Sequence, residues 1–332
     1  MISIFQHQRL FKPIASSVLR RTLLALGVYS LVFLLGACAT SGVREVKQNT
    51  QLPRQVELTE TPFYPQELYQ CGPAALATAI NAIDIKVSPE QLTPEVYIPS
   101  RQGSLQIEML AAARRHGALA IQIPPNLQAL LEEIAAGNVV VVMQNLGLSW
   151  APSWHYAVVV GYDLDKELIW LRSGTFERFE MTLSTFQRTW ARSQQWAFVT
   201  LKPGDLPATP EPDQVIRALI AFEKTAPAIQ AKAAYEGTVK RWPDNLVLLM
   251  GLGNSAYAAK DLAASAEAFR QAIAAHPDSA AAHNNLAHVS LAKGDVSNAK
   301  QYAEEAMRLA AEDEKLQAQI KQTLIEIAAK EK

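Results

Sequence analysis

Residues 66–76 read Gln66-Glu67-Leu68-Tyr69-Gln70-Cys71-Gly72-Pro73-Ala74-Ala75-Leu76. Pro73 suits the first turn of a helix, where its missing N–H has no partner to lose. Leu76, Ile80 and Ile83 continue as an apolar stripe at helical spacing. Gly72 leaves room for another backbone to come close. Cys71 therefore stands at a helix N-terminus, where the dipole favours thiolate over thiol. The sequence holds only one other cysteine, Cys38, so Cys71 has the context of a nucleophile rather than of a disulfide partner.

A thiol nucleophile needs a base. Beyond Cys38 the histidines are His116, His155, His276, His283 and His288. The last three fall in a repeat region described below, and His116 precedes Gly117 at a helix end. His155 opens the run His155-Tyr156-Ala157-Val158-Val159-Val160-Gly161-Tyr162, a buried strand whose first ring is well placed to face a helix N-terminus. Asp163 and Asp165 are poor candidates to orient that ring, because Asp163 is eight residues along the same strand, roughly 26 Å away. They suit a hairpin turn at 163–166. Pairing 162 with 167 then sets His155 opposite the stretch Arg172-Ser173-Gly174-Thr175. Ser173 is the expected orienting group, a neutral one that fixes the imidazole tautomer. For the oxyanion, the Cys71 N–H supplies one donor and the Gln66 amide a second.

Gln66…Cys71-Gly72-Pro73-Ala74-Ala75-Leu76 together with the His155–Tyr162 run resembles the bacteriocin-processing (double-glycine leader) cysteine peptidases of the papain-like fold. It looks closest to a lipoprotein branch with a tetratricopeptide tail. The resemblance implies Cys71 as nucleophile, His155 as base and Gln66 in the oxyanion hole. Two positions depart from the family pattern: Gln66 stands five residues before Cys71 where six is usual, and Arg172-Ser173-Gly174 replaces the family Asp. The fold implied is an α+β papain-like cysteine peptidase domain followed by an all-α tetratricopeptide helical-repeat domain.

The rest of the half upstream of residue 203 reads consistently. Ser88-Pro89-Glu90-Gln91 is a capping-box helix start. Gly103-Ser104 is expected to open a helix ending near Arg115, and Leu127–Ala136 to form another, closed by Gly137. Val139–Met143 is a continuous apolar run, hence a central strand. Trp150, Trp154 and Trp190 are expected in the core, with a groove wall as the alternative for the first two.

The N-terminus reads as an address. Arg9, Lys12, Arg20 and Arg21 precede the apolar run Leu23–Leu35, and no acid occurs before Glu45. That run has the length of a signal segment and is short for a spanning helix. It ends in Leu35-Gly36-Ala37-Cys38, which looks like a lipobox, with Cys38 the lipidated residue. By family resemblance Ala39 favours the outer membrane, facing the periplasm.

Residues 203–212 read Pro-Gly-Asp-Leu-Pro-Ala-Thr-Pro-Glu-Pro, which forbids regular structure and favours an extended spacer. Downstream, Trp242-Pro243-Asp244-Asn245 recurs as His276-Pro277-Asp278-Ser279, and 277 − 243 = 34. A 34-residue helix-turn-helix period is the tetratricopeptide signature. The units are Leu246–Ala259 with Leu262–Ala275 and Ala280–Ala292 with Val296–Leu309, preceded by a degenerate unit over Val215–Trp242 and closed by a capping helix near 312–330. Small residues at Ala256, Ala268 and Ala287 let helices approach closely. The expected organisation is a signal peptide at 1–37, a lipidated tether at 38–60, a peptidase domain at 61–202, a Pro-rich linker at 203–213 and a repeat domain at 214–332.

With 31 Lys+Arg against 32 Asp+Glu, the net charge of −1 argues against a nucleic-acid partner. The expected function is a membrane-anchored cysteine peptidase acting on a peptide or protein substrate. The repeats would dock that substrate or a partner protein, and the Cys38 lipid would meet the membrane. No cofactor or metal motif is present. A catalytically weak or inactive peptide-binding scaffold is the alternative, and an amidase or acyl transferase using the same Cys71–His155 pair is a third reading.

Overall fold

The structure is a computed structural model that describes residues 42–65, 70–310 and 313–330. The expected signal peptide and Cys38 lie outside the described residues. The apolar run at 139–143 becomes β5 (Val140–Asn145), central in an antiparallel sheet. The sheet order is β4 (Leu119–Gln122), β9 (Ala197–Leu201), β5, β6 (Trp154–Asp163), β7 (Leu168–Ser173) and β8 (Phe176–Thr182), with β1 (Gln55–Glu57) also paired to β6.

Side chains alternate across a strand, and both faces of this sheet are covered. Val141, Tyr156, Val158, Val160 and Phe198 pack beneath α2 (Cys71–Ala82), α3 (Pro89–Val96) and α4 (Gln106–Arg115). Val140, Val142, Ala157, Val159 and Leu171 pack on the opposite side with α5 (Leu127–Ala135) and α6 (Leu183–Ala191). Burial on both faces is why β5 reads as unbroken apolar sequence. The α3 capping box forms, with the Ser88 N–H donating to Gln91 Oε1 at 2.8 Å, and Gly137 closes α5 at φ +91°.

Several expectations are corrected. Gly103-Ser104 does not open α4; it forms β3 (Gly103–Ser104), paired with β2 (Tyr97–Ile98), and α4 begins at Gln106. That pairing occupies the backbone groups that a helix would have used. The hairpin register differs too. Asp163 pairs with Leu168 and Tyr162 with Ile169, so the turn is 164–167, with Glu167 at φ 56°. The register then slips between Val159 and Gly161. A Cβ on Gly161 would stand 2.6 Å from the Val56 carbonyl oxygen and 2.7 Å from the Trp170 ring, so glycine lets β1 lie against β6 there. Trp190 is core as expected, whereas Trp150 and Trp154 are 82% and 52% exposed.

The expected tether at 38–60 is also revised. Residues 42–48 form a helix, α1, whose Val43 and Val46 are buried with Leu52 in the core on the α5 side. Arg54 O accepts from Leu164 N at 2.8 Å where β1 starts. A few apolar residues among polar ones gave too weak a periodicity to read.

The proline-rich stretch is not a free spacer either. The buried Glu133 carboxylate on α5 accepts from Ala208 N at 3.0 Å and from Thr209 N at 3.2 Å. Gly204 seats directly against Gly237. Among the described residues seven helices follow: α7 (Pro212–Glu223), α8 (Ala228–Val239), α9 (Leu246–Ala258), α10 (Leu262–Ala275), α11 (Ala280–Ala292), α12 (Val296–Leu309) and α13 (Glu314–Lys330). Their Val215, Leu219, Phe222 and Tyr235 join one apolar cluster with Leu119, Val140 and Leu201 of the sheet. Within the array Ala256, Ala268 and Ala287 are buried, and Ile320, Thr323 and Ile327 of α13 cover its end.

Candidate active site

Cys71 is the first residue of α2 and is partly exposed. Gly72 behind it is required sterically, since a Cβ there would run into Ser104 Oγ and Cβ. Ser104 is held by its own backbone: its carbonyl accepts from Tyr156 Oη at 3.2 Å. β3 thus wedges between the start of α2 and the start of β6.

Cys71 packs against the cluster that holds Tyr156, and the backbone amides of Tyr156, Gly72 and Cys71 itself act to lower its thiol pKa. In an antiparallel ladder, alternate N–H groups point to opposite neighbours. Leu146 N donates to Ser153 O, and the register continues as Gln144 with His155 and Val142 with Ala157. The odd-numbered N–H groups of β6 therefore point towards β5, and that of Tyr156 points away, past the end of β7. Backbone N–H groups lie in the plane of the sheet. Cys71 thus packs against the cluster that holds Tyr156, the residue that follows His155 in β6.

His155 Nε2 lies 2.8 Å from Ser173 Oγ. β7 ends at Ser173, which pairs with Phe176 across a turn at Gly174 and Thr175. With Nε2 engaged, Nδ1 is the ring nitrogen left to accept a proton. Among the described residues no hydrogen bond joins the imidazole to the sulfur, so the pair is not locked together in this state.

Electrostatics corrects the expected thiolate. Burial pushes the Cys71 thiol up, and the three N–H groups pull the other way without offsetting it. Burial also pushes the His155 imidazole down. Both shifts favour the neutral thiol with the neutral ring, and the helix dipole alone does not overcome desolvation here.

Gln66 lies outside the described residues. Asp163 accepts from the N–H groups of Asp165 and Lys166 in the hairpin turn, as a turn residue does. Sequence reasoning missed Arg172. Its buried guanidinium donates to Thr59 O at 3.1 Å and Thr61 O at 3.0 Å, and also holds the Glu177 carbonyl. One strand end thus grips two segments: Arg172 holds the chain leading towards Cys71, and Ser173 holds His155. The one available signal was the adjacency of Arg172 and Ser173 at the predicted register. Among the described residues no group of three or more His, Cys, Asp or Glu side chains is placed to hold a metal.

Residues 48–197 match the model of the Peptidase_C39 like family. Residues 230–271 and 250–314 match that of the Tetratricopeptide repeat. No curated protein matches the chain. Among solved structures, one described as a C39-like peptidase from Bacillus anthracis is 17% identical; it covers 45% of this chain and 98% of its own, with a TM-score of 0.38. The type III secretion translocator chaperone SycD of Yersinia enterocolitica is 15% identical over 36% of this chain and 84% of its own, with a TM-score of 0.34. The first TPR domain of human RPAP3 is 17% identical over 35% and 92%, with a TM-score of 0.32.

Proposed function

Taking as premise that the chain carries a C39-like peptidase domain followed by tetratricopeptide repeats, we propose that it is a lipid-anchored thiol peptidase of the bacterial envelope. His155 Nδ1 takes the Cys71 proton while Nε2–H is held by Ser173 Oγ. The sulfur attacks the peptide carbonyl carbon, and the resulting oxyanion is bound by the Cys71 N–H and the Gln66 amide. The imidazolium returns the proton to the departing amine, which leaves an acyl-enzyme. Water, deprotonated by the same ring, then releases the acid and restores the thiol. Because both groups rest neutral, proton transfer accompanies attack rather than preceding it. Cys38 carries the lipid, Ala39 sends the protein to the outer membrane, and the repeats dock the substrate or a partner protein.

The observation that carries this reading is the His155 Nε2–Ser173 Oγ contact at the start of the strand whose Tyr156 belongs to the cluster that Cys71 packs against. Incubation with an iodoacetamide probe and with peptide libraries tests it, with Cys71→Ala as the control. Alkylation faster than that of a free peptide thiol, with turnover abolished in Cys71→Ala, is expected. Alkylation no faster than the free thiol would refute the mechanism. Product analysis separates hydrolysis from acyl transfer.

The neutral thiol and the serine where the family has Asp favour one second reading, a weakly active or inactive peptide-binding scaffold. Under it, pull-downs survive Cys71→Ala and His155→Ala unchanged and no library peptide is turned over.

A further inference from the structure

The connection between β5 and β6 is built as a rigid knob that presents apolar side chains to solvent. Leu148 N donates to Ala151 O at 3.1 Å and Ala151 N returns to Leu148 O at 3.2 Å, which closes a tight tip around Ser149 and Trp150. The buried Asn145 Oδ1 accepts from Gly147 N at 3.0 Å and Ser153 N at 2.9 Å. Arg192, just past α6, donates to Gly147 O at 2.7 Å. A side chain at Gly147 would collide with the Ala151 carbonyl and stand 2.8 Å from Ser153 N. On this frame Leu146, Leu148, Trp150 and Trp154 are all exposed, and Phe176 is exposed at the neighbouring turn. No Asp, Glu, Lys or Arg occurs from Val139 to Tyr162. Exposed apolar side chains gathered on one loop mark an interaction site, and a loop already ordered loses little entropy on binding.

The start of the described chain indicates what covers it. Gly42 packs against Gln187 of α6, and Arg192, which grips the knob, caps the C-terminal end of that helix, about 7.5 Å further along its axis. Only residues 39–41 separate Gly42 from Cys38, a span of at most about 14 Å when fully extended. With α1 folded onto the domain, a lipid on Cys38 has no long tether and brings this side of the molecule down to the bilayer. An ordered loop with no charged side chain of its own, tipped by tryptophan and braced by the Arg192 guanidinium, suits the headgroup region, where amphipathic rings concentrate.

We infer that the 146–154 loop, with Phe176 beside it, enters the interface of the bilayer that receives the Cys38 lipid, and so fixes the Cys71–His155 site against the membrane surface. This inference rests on the anchor proposed above and not on catalysis. The test reconstitutes the full lipidated chain into phosphatidylethanolamine–phosphatidylglycerol vesicles with brominated acyl chains, which quench indole emission on contact. The mass of the N-terminal peptide reports whether Cys38 is lipidated. Wild-type emission should be quenched, Trp150→Ala should lose a large part of that quenching, and Trp154→Ala added to it should remove most of the rest, with circular dichroism spectra unchanged. A lipidated protein whose quenching is the same with and without Trp150 overturns the docking and leaves the anchor standing. So does a Trp150→Ala variant whose only change is in peptide selectivity, which would make the knob a substrate wall, or in oligomeric state, which would make it a contact between copies. A Cys38 without lipid overturns the anchor and the docking together.

Discussion

Ser173 Oγ and His155 Nε2 stand 2.8 Å apart, so the base of the proposed site is oriented by a neutral hydroxyl at the end of the adjoining strand. A hydroxyl fixes the tautomer, but it stabilises imidazolium less than a carboxylate does. Ser173→Ala should lower kcat/KM by about tenfold to a hundredfold with folding intact. Ser173→Asp should raise the imidazole pKa from its depressed value and move the acid limb of the kcat/KM profile upward. A pH–rate series on the three proteins checks both, and an unmoved acid limb in Ser173→Asp would show that the residue does not orient the ring.

Burial raises the Cys71 thiol above its ordinary value, so its thiolate fraction at neutral pH is smaller than that of a free cysteine. Direct alkylation of Cys71 should therefore keep rising with pH beyond the point where a model thiol has levelled. If His155 assists, His155→Ala should slow alkylation at pH 7 and leave the high-pH plateau unchanged. The His155 imidazole is lowered, so above about 6.5 the neutral ring carries no penalty in the folded state. Stability associated with this group is present there and is lost as pH falls through the folded value. Denaturant titrations of wild type and His155→Ala at pH 7.5 and pH 5 should show the wild type losing more.

The main features of the fold were legible where local chemistry and tertiary demand coincide. The β5 run is apolar because both sheet faces are covered, the Ser88 box caps because its four residues suffice, and the 34-residue period survives because the two regular units bury equivalent small residues, Ala272 with Ala306 and Gly253 with Ala287. Ser173 was reachable because strand pairing is arithmetic, although the turn lay one residue later than expected and a slip at Gly161 partly compensated. What was illegible depends on distant partners. The Val43, Val46 and Leu52 contacts are too sparse for periodicity, the Glu133 grip on 208–209 is non-local, and the Cys71 thiol shift needs the depth of burial rather than the helix start alone. The solvent-facing Trp150 and Trp154 resembled core residues because composition carries no direction.

Arg172 is buried and bonds three backbone carbonyls, including Thr59 and Thr61 ahead of Cys71. Arg172→Met keeps the volume but leaves those carbonyls unpaired, at a cost of about 2–4 kcal/mol. Urea unfolding should report that loss. Alkylation of Cys71 in the still-folded variant should also change rate, because the segment preceding the nucleophile is released; an unchanged rate would limit Arg172 to a stability role.

Glu133 offers the sharpest test of how the sheet domain and the repeats are joined. Its fully buried carboxylate accepts from Ala208 N, Thr209 N, Thr209 Oγ1 and Asn138 Nδ2. Removing one partner of a buried group strands the rest, so Glu133→Ala should cost about 2–4 kcal/mol. The apolar cluster shared by Leu119, Val140, Phe222 and Tyr235 predicts one calorimetric transition for the wild type. With the 208–209 segment released, the sheet domain and the helical array should separate into two transitions, and cleavage by added proteinase K should appear within residues 204–209. Thr209→Val, which removes a single hydroxyl donor, should have a much smaller effect on the same melt. A single transition in Glu133→Ala at the wild-type midpoint would show that the apolar cluster alone couples the two halves.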